Sequence, residues 1–179
     1  MNHKQVKYIA VIGIFVLSFI SHYVYNIIPS PLLSIFFPVN ESIWEHMKII
    51  FTSIIIYGVI DYYLLIKYNI KHNNFLLSLA ISSIVSIPIY LIIYLPIYNL
   101  IGENLFISIS ILFIVIIISQ IISYYIQKRN NINSDIISCL LIIITYIVFG
   151  YLTYYPIKNY LFFDQSNNKY GINIYYLGN

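Results

Sequence analysis

Five stretches of mostly apolar residues, each about 20 long, constrain this chain more than any other feature. They cover residues 8–28, 47–66, 75–98, 105–126 and 136–155. Roughly 30 Å of hydrocarbon, at a rise of about 1.5 Å per residue, asks for a run of that length per span. Lipid offers the backbone no hydrogen-bonding partner, so each stretch is predicted to be a helix. The fold class is then all-α: a polytopic transmembrane bundle of about five spans, one integral membrane domain over 1–179 with a tail at 156–179. Span ends are predicted to within about three residues. Charged residues make up 8% of the chain and apolar ones 60%. An ordinary soluble domain is about 25% charged, so a water-soluble globule is excluded, and so is disorder, which needs low hydrophobicity.

The lone Cys139 excludes a disulfide framework and a zinc site built from several thiolates. A net charge of +3 is too weak and too scattered for nucleic-acid binding. The partners implied are the lipid bilayer and a homo-oligomer or larger membrane complex. The first span follows Lys4 and Lys7 as a signal peptide would, but Phe19-Ile20-Ser21-His22 lacks a small-x-small cleavage site, so the span is expected to stay attached. The 20 tyrosines suit interfacial anchoring, and abundance alone assigns none of them a role.

Orientation follows the basic residues. Lys4, Lys7, Lys67, Lys71, Lys128 and Arg129 fall on one side, against Lys48, Lys158 and Lys169 on the other. The N-terminus is therefore predicted inside and the C-terminus outside, in a cytoplasmic membrane. Glu41, Glu45, Glu103 and Asp164 all fall in outside segments, so ionisable chemistry collects at the outer face. The connections after the second, third and fourth spans are short, which predicts antiparallel neighbours in one bundle. The tail reads as a short interfacial hairpin, with 160–163 and 172–176 flanking a turn-rich 164–171, or as an extended flap over the bundle mouth.

One polar passage stands at a span boundary: Asn40-Glu41-Ser42-Ile43-Trp44-Glu45-His46-Met47-Lys48. Glu41 and Glu45, four apart, share a helix face, with Lys48 three further on. Ser42-Ile43-Trp44-Glu45 fits a capping box, Glu45 can pair with Lys48, and Trp44 can anchor at the interface. A cap needs only one or two such groups, however, and His46 beside two carboxylates also offers acid–base chemistry or a divalent metal site. The spacing matches no standard zinc signature. Glu41, Glu45 and His46 are the catalytic candidates; His22, Asn40, Trp44 and Asp164 are the binding candidates. The metal, if one binds, is left open.

The run Phe37 to Lys48, preceded by Ser21-His22-Tyr23-Val24-Tyr25 and followed by Phe162-Phe163-Asp164 and Tyr170-Gly171-Ile172, resembles a family of small multi-pass membrane proteins from low-GC Gram-positive bacteria. Its shared feature is an Asn-Glu-Ser-x-Trp-Glu-His segment, and it is catalogued as a domain of unknown function. The resemblance implies a bacterial cytoplasmic membrane protein and no particular reaction.

His22, late in an outward-running span, and Glu41, Glu45 and His46, opening an inward one, are predicted to line an outer polar pocket under the Asp164 tail. An ionisable residue within a span is a functional candidate by default. Three readings follow: a membrane protein with a polar or metal-binding outer site, a membrane-embedded hydrolase or transferase acting on a lipid-linked substrate, and an accessory subunit of a transport or envelope complex. Elsewhere, Ser82, Ser83 and Ser86 are placed to satisfy the carbonyl freed by Pro88. Ser119, Gln120 and Ser123 read as interhelical hydrogen bonds. Asp61 is expected to reach the inner interface near Lys67.

Overall fold

The computed structural model describes residues 1–172. Its long helices are α1 (His3–Ile27), α3 (Ile43–Lys67), α4 (Phe75–Ile101), α5 (Leu105–Gln127) and α6 (Asp135–Tyr154), with a one-turn α2 (Leu33–Phe36) between the first two. All five long helices have the length and hydropathy to cross a membrane. The tail adds a two-stranded ladder, β1 (Phe163–Asp164) with β2 (Lys169–Tyr170), antiparallel in the register Phe163↔Tyr170. The hairpin is therefore present, with its strands closer to the turn than the β-branched flanks suggested. Residues 173–176 of the expected second flank lie outside the described residues.

Two helices start earlier than predicted, α1 at His3 rather than near 8 and α3 at Ile43 rather than 47. An apolar window finds the part of a helix that must sit in hydrocarbon and misses polar first turns held by caps. Asn2 and Gln5 form a reciprocal capping box at the start of α1. At α3, Ser42 accepts the Glu45 amide, but the expected return bond from the Glu45 side chain is not made. Asn40 Oδ1 accepts the Ser42 N–H instead, at 2.8 Å.

Helices α1, α3, α4 and α5 close a four-membered ring in which α3 touches α1 and α4, and α5 touches the same two. The bundle core sits inside this ring. Met47 through Ile54 are all buried, the polar Lys48, Thr52 and Ser53 included, so α3 is enclosed on every side at this level. Along α1 the buried positions Ala10, Ile14, Ser18, Ser21 and Tyr25 mark one face; Tyr8, Ile12, Val16, Phe19 and Tyr23 are exposed on the other. Small residues let α1 and α3 approach closely: a Cβ on Gly13 would lie 2.0 Å from the Tyr57 ring.

Helix α6 departs from the expected order by packing along α4 and α2 rather than along its sequence neighbour α5. Asn74 explains the crossing. It sits at the start of α4 and binds the loop that leaves α5, donating to the Asn130 carbonyl (2.8 Å) and accepting the Ile132 N–H (2.7 Å). The chain is thereby led past the end of α4. Asn74 itself adopts φ +52°, a left-handed conformation that asparagine tolerates better than most residues.

The core face of α4 is a strict four-residue ladder, Ser78, Ser82, Ser86, Tyr90 and Tyr94. Ser82, Ser83 and Ser86 donate to the carbonyls of Leu79, Ala80 and Ser83. They stop short of Ile84, the carbonyl Pro88 frees, contrary to expectation; each serine reaches back three or four residues along its own helix. In α5, Ser123 does bridge helices, whereas Ser119 only back-bonds to Val115.

Asp61 does not reach Lys67, which instead lies over Tyr63 and Tyr68. It pairs across the bundle with Lys7 of α1 at 2.5 Å, and both are buried. Lys7 also donates to Ser123 (2.9 Å). Gln127 donates to Ser78 (2.8 Å) and accepts from His3 (2.8 Å). This network ties α1, α3, α4 and α5 together at the N-terminal end.

Candidate metal centre

The opposite end of the bundle gathers most of the residues the sequence singled out, in two separate groups. Glu41, in the turn before α3, stands between two imidazoles. Its Oε1 lies 3.7 Å from His22 Nε2 on α1, and its Oε2 lies 3.5 Å from His46 Nε2 on α3. The two rings are 5.5 Å apart between centroids. One ligand atom from each of the three residues falls within 4.8 Å of the others. All three side chains are partly exposed, between 23% and 36%.

Local bonds aim these atoms. His46 Nδ1 lies 2.8 Å from the Ser42 carbonyl, which can only accept, so Nδ1 donates and the ring is held with Nε2 toward Glu41. A carbonyl holding one imidazole nitrogen so that the other can ligate is the usual outer shell of a metal-bound histidine. Glu41 is fixed through its backbone: the buried Asp164 carboxylate accepts the Glu41 N–H at 3.3 Å. Asp164 also accepts from the Asn167 amide N–H (3.1 Å) and side chain (2.9 Å). Burial alone would raise the Asp164 carboxyl. Hydrogen bonds from the Asn167 side chain and from the backbone of Glu41, Asn167 and Ser166 outweigh it and hold the group below the ordinary carboxylate range.

Glu45 turns away from this cluster. It is buried with Lys48, whose ammonium lies 2.7 Å from Glu45 Oε2. Oε2 also accepts the Val39 N–H at 3.0 Å, and Oε1 accepts the Thr153 hydroxyl at 2.8 Å. Lys48 donates further to the Ser34 carbonyl (2.7 Å) and to Thr153. Every polar atom of the pair is occupied, and the contacts lock α2, α3 and α6 together. The shared helix face of Glu41 and Glu45 ends with the helix: Glu41 precedes the Ser42 cap, where the chain is extended, so the two side chains part.

Asn40 and Trp44 dock the tail. Asn40 Nδ2 donates to the Gly171 carbonyl at 2.9 Å. The Trp44 indole stacks on Phe162 with centroids 4.8 Å apart, and its backbone N–H donates to the Leu161 carbonyl at 2.8 Å. Gly171 itself has φ +59°, and a Cβ there would meet the Thr153 carbonyl at 2.5 Å, so glycine is required for this close approach.

A pocket of about 100 Å³ adjoins the cluster, lined also by Tyr90, Tyr94, Tyr98, Glu103, Ser108, Phe163 and Gln165. The three tyrosines stack successively at 5.1 and 5.6 Å. Sequence reasoning left them out, yet their i, i+4, i+8 spacing on one apolar helix was the signal available. Gln165 donates to Tyr98 and so spans the pocket from the tail.

Chemically, two imidazole nitrogens facing one carboxylate can pair with it as protonated rings or share a cation with it as ligands. Three ligands about 2.1 Å from a tetrahedral metal stand about 3.4 Å from one another. Here each histidine faces a different Glu41 oxygen and one ligand atom from each residue lies within 4.8 Å of the others, so the three side chains would draw together around an ion. Carboxylate with imidazole suits several first-row divalent ions, and three protein ligands leave a position open.

No curated protein and no solved structure matches this chain. A family model does, over residues 1–172. The chain belongs to the family of unknown function DUF6512.

Proposed function

We propose that this is a multi-pass protein of a bacterial cytoplasmic membrane that binds a divalent transition-metal ion through His22, Glu41 and His46 at its outer mouth. The observation that carries the reading is the bond from His46 Nδ1 to the Ser42 carbonyl. It turns Nε2 toward a carboxylate shared with a second imidazole, and one ligand atom from each of the three residues lies within 4.8 Å of the others. Asp164 acts here as a positioning residue for Glu41, and Glu45 as a structural partner of Lys48.

Zinc titration of the purified full chain tests this, with bound metal counted by mass spectrometry. The wild type is expected to hold one zinc ion per chain. His22→Ala, His46→Ala and Glu41→Gln are each expected to weaken binding by more than the ~10- to 100-fold typical of losing an outer-shell partner. Wild-type protein that retains no zinc, or variants that retain as much as it does, would refute the assignment.

The orientation rests on the basic residues. Lys7 and Lys48 are buried in ion pairs and leave the count of interfacial charges, but Lys4, Lys67, Lys71, Lys128 and Arg129 still outnumber Lys158 and Lys169. In a Cys139→Ser background, Lys158→Cys is expected to react with an impermeant maleimide in intact cells. Lys71→Cys is expected to react only after permeabilisation; the reverse pattern inverts the topology.

A further inference from the structure

We infer that the seam between α1 and α5, at the N-terminal end of the bundle, holds an anionic phospholipid with its headgroup at the helix ends and one acyl chain running inward. The site is independent of the metal centre, which lies at the opposite end. A cavity of about 510 Å³ follows this seam, within the ~300–1,000 Å³ usual for ligand sites. Its lining changes character with depth. Lys4 of α1 and Tyr124 and Tyr125 of α5 stand nearest the helix ends. Gln120, buried, comes one turn further in, about 6 Å along the axis from Tyr124. Val11 and Ile12 on α1, with Ile117 and Ile121 on α5, make the apolar walls. From Tyr125 back to Ile117 the groove follows about 12 Å of helix, room for a run of methylenes.

Cation, hydroxyl, amide and hydrocarbon thus follow one another within a single cavity, in the order of a glycerophospholipid's phosphate, esters and chain. The groove also opens sideways. Tyr8, Ile12, Ile121 and Tyr125 along its rims are between 50% and 67% exposed. Helix α6 packs on α4 and α2 and leaves this seam uncovered. On a bundle of membrane-spanning helices that side faces lipid.

An apolar groove gains little by taking a chain out of an equally apolar bilayer, so charge must select the occupant. Lys7 lines the groove's base, but its ammonium is committed to Asp61 and the pair is neutral. Lys4 is exposed at the mouth. Lys128, also exposed, donates to the Tyr124 hydroxyl at 3.2 Å and lies 5.1 Å over that ring, which brings a second ammonium to the mouth's edge. Little opposes these cations. Of the chain's six acidic residues, Glu41, Glu45, Glu103 and Asp164 lie at the other end, Asp61 is taken by Lys7, and Asp135 opens α6. A basic recess between transmembrane helices suits anionic headgroups, and each interfacial lysine favours them by about 5-fold. Two lysines give roughly 25-fold over a zwitterionic lipid with the same chains. In the orientation proposed above, the lipid belongs to the cytoplasmic leaflet.

The test uses the full chain in phosphatidylcholine nanodiscs with a trace of phosphatidylglycerol bearing a diazirine in one acyl chain. Phosphatidylcholine with the same photoreactive chain is the comparison. After photolysis, peptide mass spectrometry is expected to find the anionic probe at Val11, Ile12, Ile117 and Ile121 about 5-fold or more above the zwitterionic one. At Ile143 and Ile147, exposed on α6, the two probes are expected to label alike. Lys4→Gln combined with Lys128→Gln is expected to bring the anionic probe down to the zwitterionic level in the groove. Both side chains are exposed, so the fold should tolerate the change. Ile121→Trp, which fills the groove, is expected to reduce the anionic signal there to that on α6. Equal groove labelling by the two probes, or an anionic preference that survives the double variant or the filler, overturns the proposal. So does a groove that neither probe labels while α6 is labelled, the result expected if a second copy of the chain covers the seam. Loss of the anionic signal on adding millimolar glycerol 3-phosphate assigns the site to a soluble anion and overturns it as well.

Discussion

Lys48→Met is expected to destabilise the protein by about 3–5 kcal/mol, because breaking a buried pair strands a charge with no partner. Glu45 would keep the Val39 amide and the Thr153 hydroxyl but lose the cation it pairs with. Lys48 is wholly enclosed, so water cannot substitute for the ammonium. The loss should be felt where the network reaches: at Ser34 in α2 and at Thr153, near the end of α6. Thermal unfolding of the purified variant measures it. Glu45→Gln added to Lys48→Met is expected to recover most of the loss, since an uncharged amide can still accept from Val39. A single variant that melts like the wild type would show the pair to be dispensable.

At the other end, Lys7→Met is expected to cost a similar ~3–5 kcal/mol, and more than Asp61→Asn does. The asymmetry comes from the remaining partners. Among the described residues, Asp61 Oδ1 is buried without a hydrogen bond and Oδ2 has Lys7 alone, so removing the lysine leaves the carboxylate bare. Lys7 keeps the Ser123 hydroxyl when the carboxylate is neutralised. A double-mutant cycle on unfolding in mixed micelles gives the coupling energy of the pair. Equal losses for the two single variants, or a coupling near zero, would contradict the geometry. Zinc binding by His22, Glu41 and His46 should survive both substitutions in folded protein, because Lys7 and Asp61 lie at the far end of the bundle.

What could be read from residues in order was whatever depends on near neighbours along the chain. Runs of apolar residues fixed five helices and nearly all their ends, since the backbone in lipid must bond to itself. The starts of α1 and α3 ran beyond the apolar windows because caps, not hydropathy, end a helix. The same local reading placed His22, Glu41, His46 and Asp164 at one end of the bundle, because alternating spans return to the same face.

Only the tertiary structure decided which of these polar groups meet. Glu41 and Glu45 look alike in the sequence, four residues apart. One ends up between two histidines, the other buried on a lysine and on Thr153, 108 positions away. Lys7 and Lys48 read as interfacial charges and proved to be interior ones. Asn40 and Trp44, candidates for binding a ligand, bind the chain's own tail. Periodicity says which face of a helix is turned inward. It does not say which helix stands opposite, and a buried charge takes its role from the group it finds there.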